Sequence, residues 1–280
     1  ERDKWSYMHL AKFFGDVPLS GISTGQIMEY RNVRLEDHIF SHGKIVEGRK
    51  IKDSTVNREL ACLRGMLNLA KKEGKIKELP SFEMVSEKKF ARKRVISEEE
   101  YQELLRQSPR YLQRVLIGLY ETAMRISEVL ELTWDRVDER VGVISLLPED
   151  DKEDDKRTIP ISPTLQEVLD ELRMEQKKVG NIANRVFTRQ GRAIKNINTA
   201  FEGANKRAKI QDVVIHDFRH TAITRWAVLG IPQEAAMLAS GHKSLAMHYR
   251  YANLQPHHVR AVFTRCLQEK RVDETEAVSY

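Results

Sequence analysis

Apolar residues recur at helical spacing through most of this chain and alternate as in a strand over only one stretch. Trp5, Met8, Leu10, Phe13 and Phe14 mark a first amphipathic helix that ends near Gly15. Ser23 or Thr24 caps a second helix carrying Ile27, Tyr30, Val33 and Leu35. Ser54 is the expected cap of a third, in which Val56, Leu60, Leu63, Leu67 and Ala70 share one face while Arg58, Arg64, Lys71 and Lys72 occupy others; Gly74 and Pro80 stop it. These three predict a small helical domain over residues 1–87. The basic run Lys88-Lys89-Phe90-Ala91-Arg92-Lys93-Arg94 reads as a linker over 88–95.

A second domain opens at Ser97, whose partner Glu100 completes a capping box. Helices are predicted at about 98–106 and 110–123. Trp134 to Leu147 then alternates as a strand pair, and Arg157 to Ile161 reads as a third strand. From about 163 to 270 the pattern is helical again, broken at Gly180, Gly191, Gly230 and Gly241. The expected fold class is mainly α with a small antiparallel β-sheet, with a catalytic-sized domain over 96–255 and a C-terminal helix and tail over 256–280. That last helix places Val259, Val262, Phe263, Cys266 and Leu267 on one face. It packs either on its own domain or on a neighbouring subunit.

With 41% hydrophobic and 31% charged residues in 280, the chain can bury an ordinary core. No apolar run approaches a membrane span and no secretory signal opens the chain, so the expectation is a cytoplasmic protein without a membrane partner. Cys62 and Cys266 read as reduced core residues. The chain starts at Glu1 rather than at a methionine, which fits an N-terminal segment removed. Residues 41–77 hold ten Lys and Arg against four Asp and Glu, an excess equal to the net charge of +6. This stretch and the basic run at 88–94 suit a phosphate backbone, and Lys44, Arg49, Lys50, Lys52, Arg58, Lys89, Arg92, Lys93 and Arg94 are the candidate contacts; charge alone does not separate that reading from a solvated lysine-rich face.

Four clusters bear chemistry. Thr122 to Glu128 puts Arg125 in a turn between apolar helices. Lys152 lies in a turn before the third strand. His216-Asp217-Phe218-Arg219-His220 opens a helix, with His216 and Arg219 on one face. Gly241-His242 leads to Arg250-Tyr251-Ala252, nine residues separating Tyr251 from His242. His257-His258 has no carboxylate or cysteine at ligand spacing and reads as helix surface, not metal.

Taken together, Thr-x-x-Arg-x-x-Glu at 122–128, Lys152 five residues before Arg157, His-x-x-Arg-His at 216–220, Gly-His at 241–242 and Arg-Tyr-Ala at 250–252 resemble the tyrosine recombinases of the phage-integrase family. Ser54 to Leu60 and Gly74-Lys75-Ile76 resemble that family's core-binding domain, so the likeness covers nearly the whole chain. The resemblance implies two domains clamping duplex DNA and a metal- and ATP-independent phosphoryl transfer with no cofactor. It assigns Arg125 and Arg219 to the charge of the phosphoryl transition state, His216 to general base, Lys152 to general acid, His242 to a hydrogen bond with the phosphate and Tyr251 to nucleophile. Glu128 and His220 would act behind them, Glu128 by holding a neighbouring side chain and His220 by bonding the backbone. It further implies double-stranded attachment sites as partner, a homo-tetramer on DNA from a monomer when free, Holliday-junction intermediates, accessory DNA-bending proteins and a nucleoid-associated location. A mobile-element integrase is favoured over a chromosome-dimer resolvase, and the missing start of the chain fits an arm-binding domain removed from its N-terminus.

Two departures from the family pattern stand out. Alanine occupies position 123, where glycine is usual, and six acids between Glu149 and Asp155 surround Lys152. Adjacent carboxylates favour the charged lysine, which leaves Lys156 a rival general acid. Tyr249 likewise competes with Tyr251. A type IB topoisomerase would share this chemistry without exchanging partners, and a DNA-binding regulator would need no nucleophile at all.

Overall fold

The computed structural model describes residues 2–41, 44–85, 94–147, 157–180, 184–245 and 260, with backbone alone at 2, 39–41 and 44–49. The chain divides into two compact units, Glu1–Ala91 and Arg92–Tyr280.

In the first unit, helices α1 (Arg2–Phe14) and α2 (Thr24–Glu36) both pack on α3 (Asp53–Lys72). Ser23 caps α2 in a box with Gln26. The expected Ser54 cap of α3 is corrected: the helix starts two residues earlier, after Lys52, with no side-chain cap and with Asp53 in the first turn complementing the helix dipole. The core gathers Leu10, Phe14, Ile27, Tyr30, Val56, Leu60, Leu63 and Leu67. Trp5, Met8 and Val33, read as core positions from periodicity, are exposed, because α1 turns Ser6, Leu10 and Phe14 inward instead and α2 turns Ile27, Tyr30 and Arg34. Cys62 lies at the edge of this core, half-buried.

The purely helical expectation for this unit is also corrected. Strands β1 (His38–Ser41) and β2 (Lys44–Lys50) form an antiparallel hairpin between α2 and α3, with a register shift between His38 and Phe40. At its root the Ile51 amide donates to the Asp37 carbonyl at 2.9 Å. Arg34 donates to Asp37 at 2.8 Å and to both oxygens of buried Glu59 at 2.9 and 3.0 Å, and the Tyr30 hydroxyl donates to Glu59 at 2.8 Å. Burial and that carboxylate push the Tyr30 phenol far above its usual range. A buried charge needs such partners, and this network clamps the hairpin root onto α3.

The second unit holds α4 (Glu98–Arg106), α5 (Arg110–Thr122), α6 (Ile126–Glu131), α7 (Pro163–Val179), α8 (Asn198–Ala208), α9 (Asp217–Val228) and α10 (Gln233–Ser240). The Ser97–Glu100 capping box is present at the start of α4. Strands β3 (Val137–Asp138), β4 (Val143–Leu146) and β5 (Arg157–Pro160) make an antiparallel sheet in sequence order, and α10 packs on β5. A second hairpin, β6 (Thr188–Arg189) with β7 (Arg192–Ala193), replaces part of the helix expected around Gly191.

Helix α5 is the spine of this unit, packed on α7 and α9 through Leu112, Val115, Leu116 and Leu119. Gly118 is required there, since a Cβ would sit 2.8 Å from the Phe187 ring. Helix α9 buries nine of its twelve residues, polar ones included. Its Thr221 hydroxyl donates to the Asp217 carbonyl and accepts from the Ile96 amide at 2.9 Å, fixing α9 to the start of the unit. Among the described residues, no helix is long and apolar enough to cross a membrane.

Candidate active site

The site forms where α5 ends, α6 and α9 begin and α10 ends. Ala123 closes α5 in the left-handed conformation at φ 54°, and Met124 and Arg125 turn the chain into α6. A side chain there carries a strain of about 1–2 kcal/mol. The Ala123 methyl is nonetheless fully buried, in a cluster with Ala222, Ile223 and Trp226. Arg125 caps α6: its backbone N–H donates to Glu128 Oε2 at 2.7 Å and its guanidinium to Oε1 at 2.8 Å. Glu128 is buried, whereas Arg125 keeps 27% of its side chain exposed.

His216 stands at the N-terminal cap of α9 and Arg219 one turn further on. Arg219 is almost wholly buried, yet satisfied: it donates to the Ala123 carbonyl at 2.7 Å and to the Ser240 carbonyl at 2.6 Å, and Nη2 lies 3.1 Å from His242 Nε2. The positive φ of Gly241, 75°, turns the chain at the end of α10 and delivers buried His242 to this cluster. The Ser240 hydroxyl donates to the Met237 carbonyl at 3.3 Å and lies 3.2 Å from His242 Nδ1. The pattern assigns the proton to Nδ1, leaving Nε2 to accept from Arg219. Donation from Nε2 to a phosphate therefore requires the other tautomer, with the Ser240 hydroxyl turned to donate to Nδ1.

His216 is partly desolvated, and this burial together with the charges of Arg219 and Arg125 holds its pKa below the usual histidine value, against an opposing pull from Asp217. A depressed pKa keeps the imidazole neutral near pH 7, the form that accepts a proton. His220 is buried with its ring edge-on to His216, centroids 5.3 Å apart.

Of the residues expected from sequence, the structure thus brings together Arg125, Glu128, His216, Arg219, His220 and His242. Lys152, Lys156, Tyr249 and Tyr251 lie outside the described residues, as do Lys89, Arg92 and Lys93. Lys44 and Arg49 fall on β2, and Lys50 pairs with Glu36. Lys52 and Arg58 are exposed at and within α3, while Arg94 is tied to Glu100 and the Val95 carbonyl in the second unit.

One participant was not foreseen. Arg157, at the start of β5, is 4% exposed, ion-paired to Glu128 and donating to the Ser240 carbonyl at 2.6 Å. Its signal was the strand's own alternation, which puts Arg157 on the inward side with Ile159.

Three guanidiniums, a neutral imidazole and a buried histidine gathered at one end of a helical core form a site suited to an anionic phosphorus centre. The phage integrase family model matches residues 94–273, and the chain belongs to that family. It is 34% identical over 245 residues to a shufflon-specific DNA recombinase of Escherichia coli, across 84% of this chain and 58% of that protein. It is 26% identical over 220 residues to an integrase of Salmonella phage P22, across 74% and 55%. The chain thus spans less than three-fifths of the length of these curated relatives. Among solved structures, a lambda integrase (75–356) dimer bound to a COC′ core site superposes with a TM-score of 0.70 at 19% identity, over 90% of this chain and 87% of that one. A lambda integrase tetramer bound to a Holliday junction gives 0.69 at 19%, over 90% and 70%. At such identity the likeness establishes the fold.

Proposed function

We propose that this chain is a site-specific DNA recombinase that cuts and rejoins DNA through a 3′-phosphotyrosyl bond. The observation that carries this reading is the convergence of Arg125, Arg219 and the neutral His216 at one end of α9. In this mechanism the Tyr251 oxygen attacks the phosphorus while His216 takes the phenolic proton. The bond to the 5′ oxygen breaks, Lys152 supplies the proton to that leaving group, and the 3′ phosphate stays on the tyrosine. Arg125 and Arg219 answer the charge that builds on the non-bridging oxygens. A free 5′ hydroxyl of another strand reverses the step, so the energy of the phosphodiester is conserved.

The names of the relatives support recombination over simple relaxation: one is a shufflon-specific DNA recombinase and another an integrase. The partner is duplex DNA at specific attachment sites, with the units of residues 1–87 and 96–255 gripping it and the basic residues of 88–95 between them. Assembly into a tetramer on DNA parallels the lambda integrase tetramer on its Holliday junction. The element served is a mobile one, acting in the cytoplasm with accessory DNA-bending proteins.

A duplex nicked just 3′ of the cleavage site, so that the short fragment bearing the new 5′ hydroxyl diffuses away after cleavage, tests the reading. The expected result is a protein–DNA adduct that survives denaturation; binding with no adduct would identify a regulator instead. Exchange between two marked sites, as opposed to relaxation of a supercoiled plasmid, then separates a recombinase from a topoisomerase.

A further inference from the structure

Glu128 is a buried carboxylate whose first partner, Arg125, is also the guanidinium proposed to meet the phosphate. Alone, that pair would carry no net charge, and an arginine neutralised by its neighbour has little attraction left for an anion. The third member changes this balance. Arg157, buried at the start of β5, is ion-paired through Nη2 to the same Glu128 oxygen that accepts the Arg125 amide. Through Nη1 it donates to the Ser240 carbonyl at 2.6 Å, the oxygen that also accepts from Arg219.

The result is a closed circuit. It runs from Arg125 to Glu128, to Arg157, to the Ser240 carbonyl, to Arg219 and to the Ala123 carbonyl, two residues before Arg125. Gly241 keeps the circuit open to Arg157, since a Cβ there would lie 2.7 Å from its Nη1.

We propose that Arg157 is a positioning residue that offsets the charge of Glu128, so that Arg125 is held by the carboxylate and still presents a full positive charge to the scissile phosphate. This rests on the recombinase reading above, and it gives Arg157 a task distinct from contact with DNA. A lysine keeps the charge but lacks the planar fork that spans Glu128 and Ser240 at once, so it serves in part. A neutral methionine of similar length does not serve.

The test uses single-turnover cleavage of the nicked duplex at saturating protein, with DNA affinity and thermal unfolding measured alongside, below the unfolding temperature of every variant. Arg157→Met is expected to slow adduct formation by about ten- to a hundredfold with DNA affinity unchanged, a loss of the size expected when one transition-state cation is weakened. Arg157→Lys recovers part of that loss. The decisive variant is the double substitution Glu128→Gln with Arg157→Met. Removing the carboxylate that neutralises Arg125 returns net charge to Arg125, so the double variant cleaves faster than Arg157→Met alone, and it also removes the buried carboxylate that has lost one of its two cationic partners in the single variant. Cleavage by Arg157→Met within twofold of the parent chain would overturn the proposal, as would a double variant no faster than the single one. Absence of an adduct with the parent chain would instead remove the recombinase reading itself.

Discussion

Arg157 and Arg219 donate to one and the same acceptor, the Ser240 carbonyl, each at 2.6 Å. Two buried cations converge on the last residue of α10, immediately before the glycine that turns the chain toward His242. A single backbone oxygen thereby fixes the relative placement of β5, α9 and the His242 turn.

Gly241→Ala tests that junction. The new methyl meets Arg157 and the left-handed backbone resists a side chain, so the expected loss of stability is about 1–3 kcal/mol. Thermal unfolding measures it, and adduct formation falls in the same variant because Arg157 must move. A variant as stable and as fast as the parent chain would show that the turn tolerates a Cβ and that the junction is slack.

Titration of His216 reports the two arginines independently of any reaction. Both lower its pKa, and removal of a nearby positive charge favours the imidazolium. Arg219→Gln and Arg125→Gln are therefore each expected to raise it, Arg219→Gln the more strongly, as followed by NMR of the labelled imidazole. In the parent chain the same depressed value moves the acid limb of the cleavage rate below pH 6.5, and the variants bring that limb back up. A value that stays put or falls in both would separate His216 from the arginines.

Tyr251→Phe should abolish the covalent adduct while Tyr249→Phe leaves it intact. Mass spectrometry of the DNA-linked peptide from the parent chain identifies the tyrosine directly. Attachment at Tyr249 would transfer the nucleophile by two residues and leave the rest of the site unchanged.

The basic hairpin of the first unit is expected to bind DNA through phosphates. Replacing Lys44 and Arg49 by alanine should weaken binding on all sequences alike and flatten the salt dependence by roughly one in log–log slope for each phosphate no longer neutralised. Lys50 is paired with Glu36, so its replacement should matter less. Salt titrations of binding to specific and unrelated duplexes decide the matter; an unchanged slope would make the hairpin a spectator.

What could be read from the sequence was what short-range chemistry specifies. Ser23 and Ser97 announce their helices because a capping box is complete within four residues. Arg125, His216, Arg219 and His242 could be found by spacing, since each sits at a helix end where local sequence sets direction. The hairpin over residues 38–50 was hidden because its apolar residues come as adjacent pairs, Ile39-Phe40 and Ile45-Val46, and do not alternate along either strand. Trp5 and Met8 show the limit of periodicity: it marks a helix, but the partner α3 decides which side is buried. Arg34, Glu59 and Arg157 look like ordinary surface charges in sequence, and only the distant groups that satisfy them reveal their burial.

The burial of α9 bears on how such a chain can change its habits. Arg219 and His220 share their helix with Phe218, Ala222 and Ile223, all inaccessible to solvent or nearly so. Substitution there disturbs packing and chemistry in a single stroke, so neither can drift while the other is retained. Selection for a changed specificity, in nature or in a library, finds more room outside this helix, and variants in which it succeeds should carry an α9 left untouched.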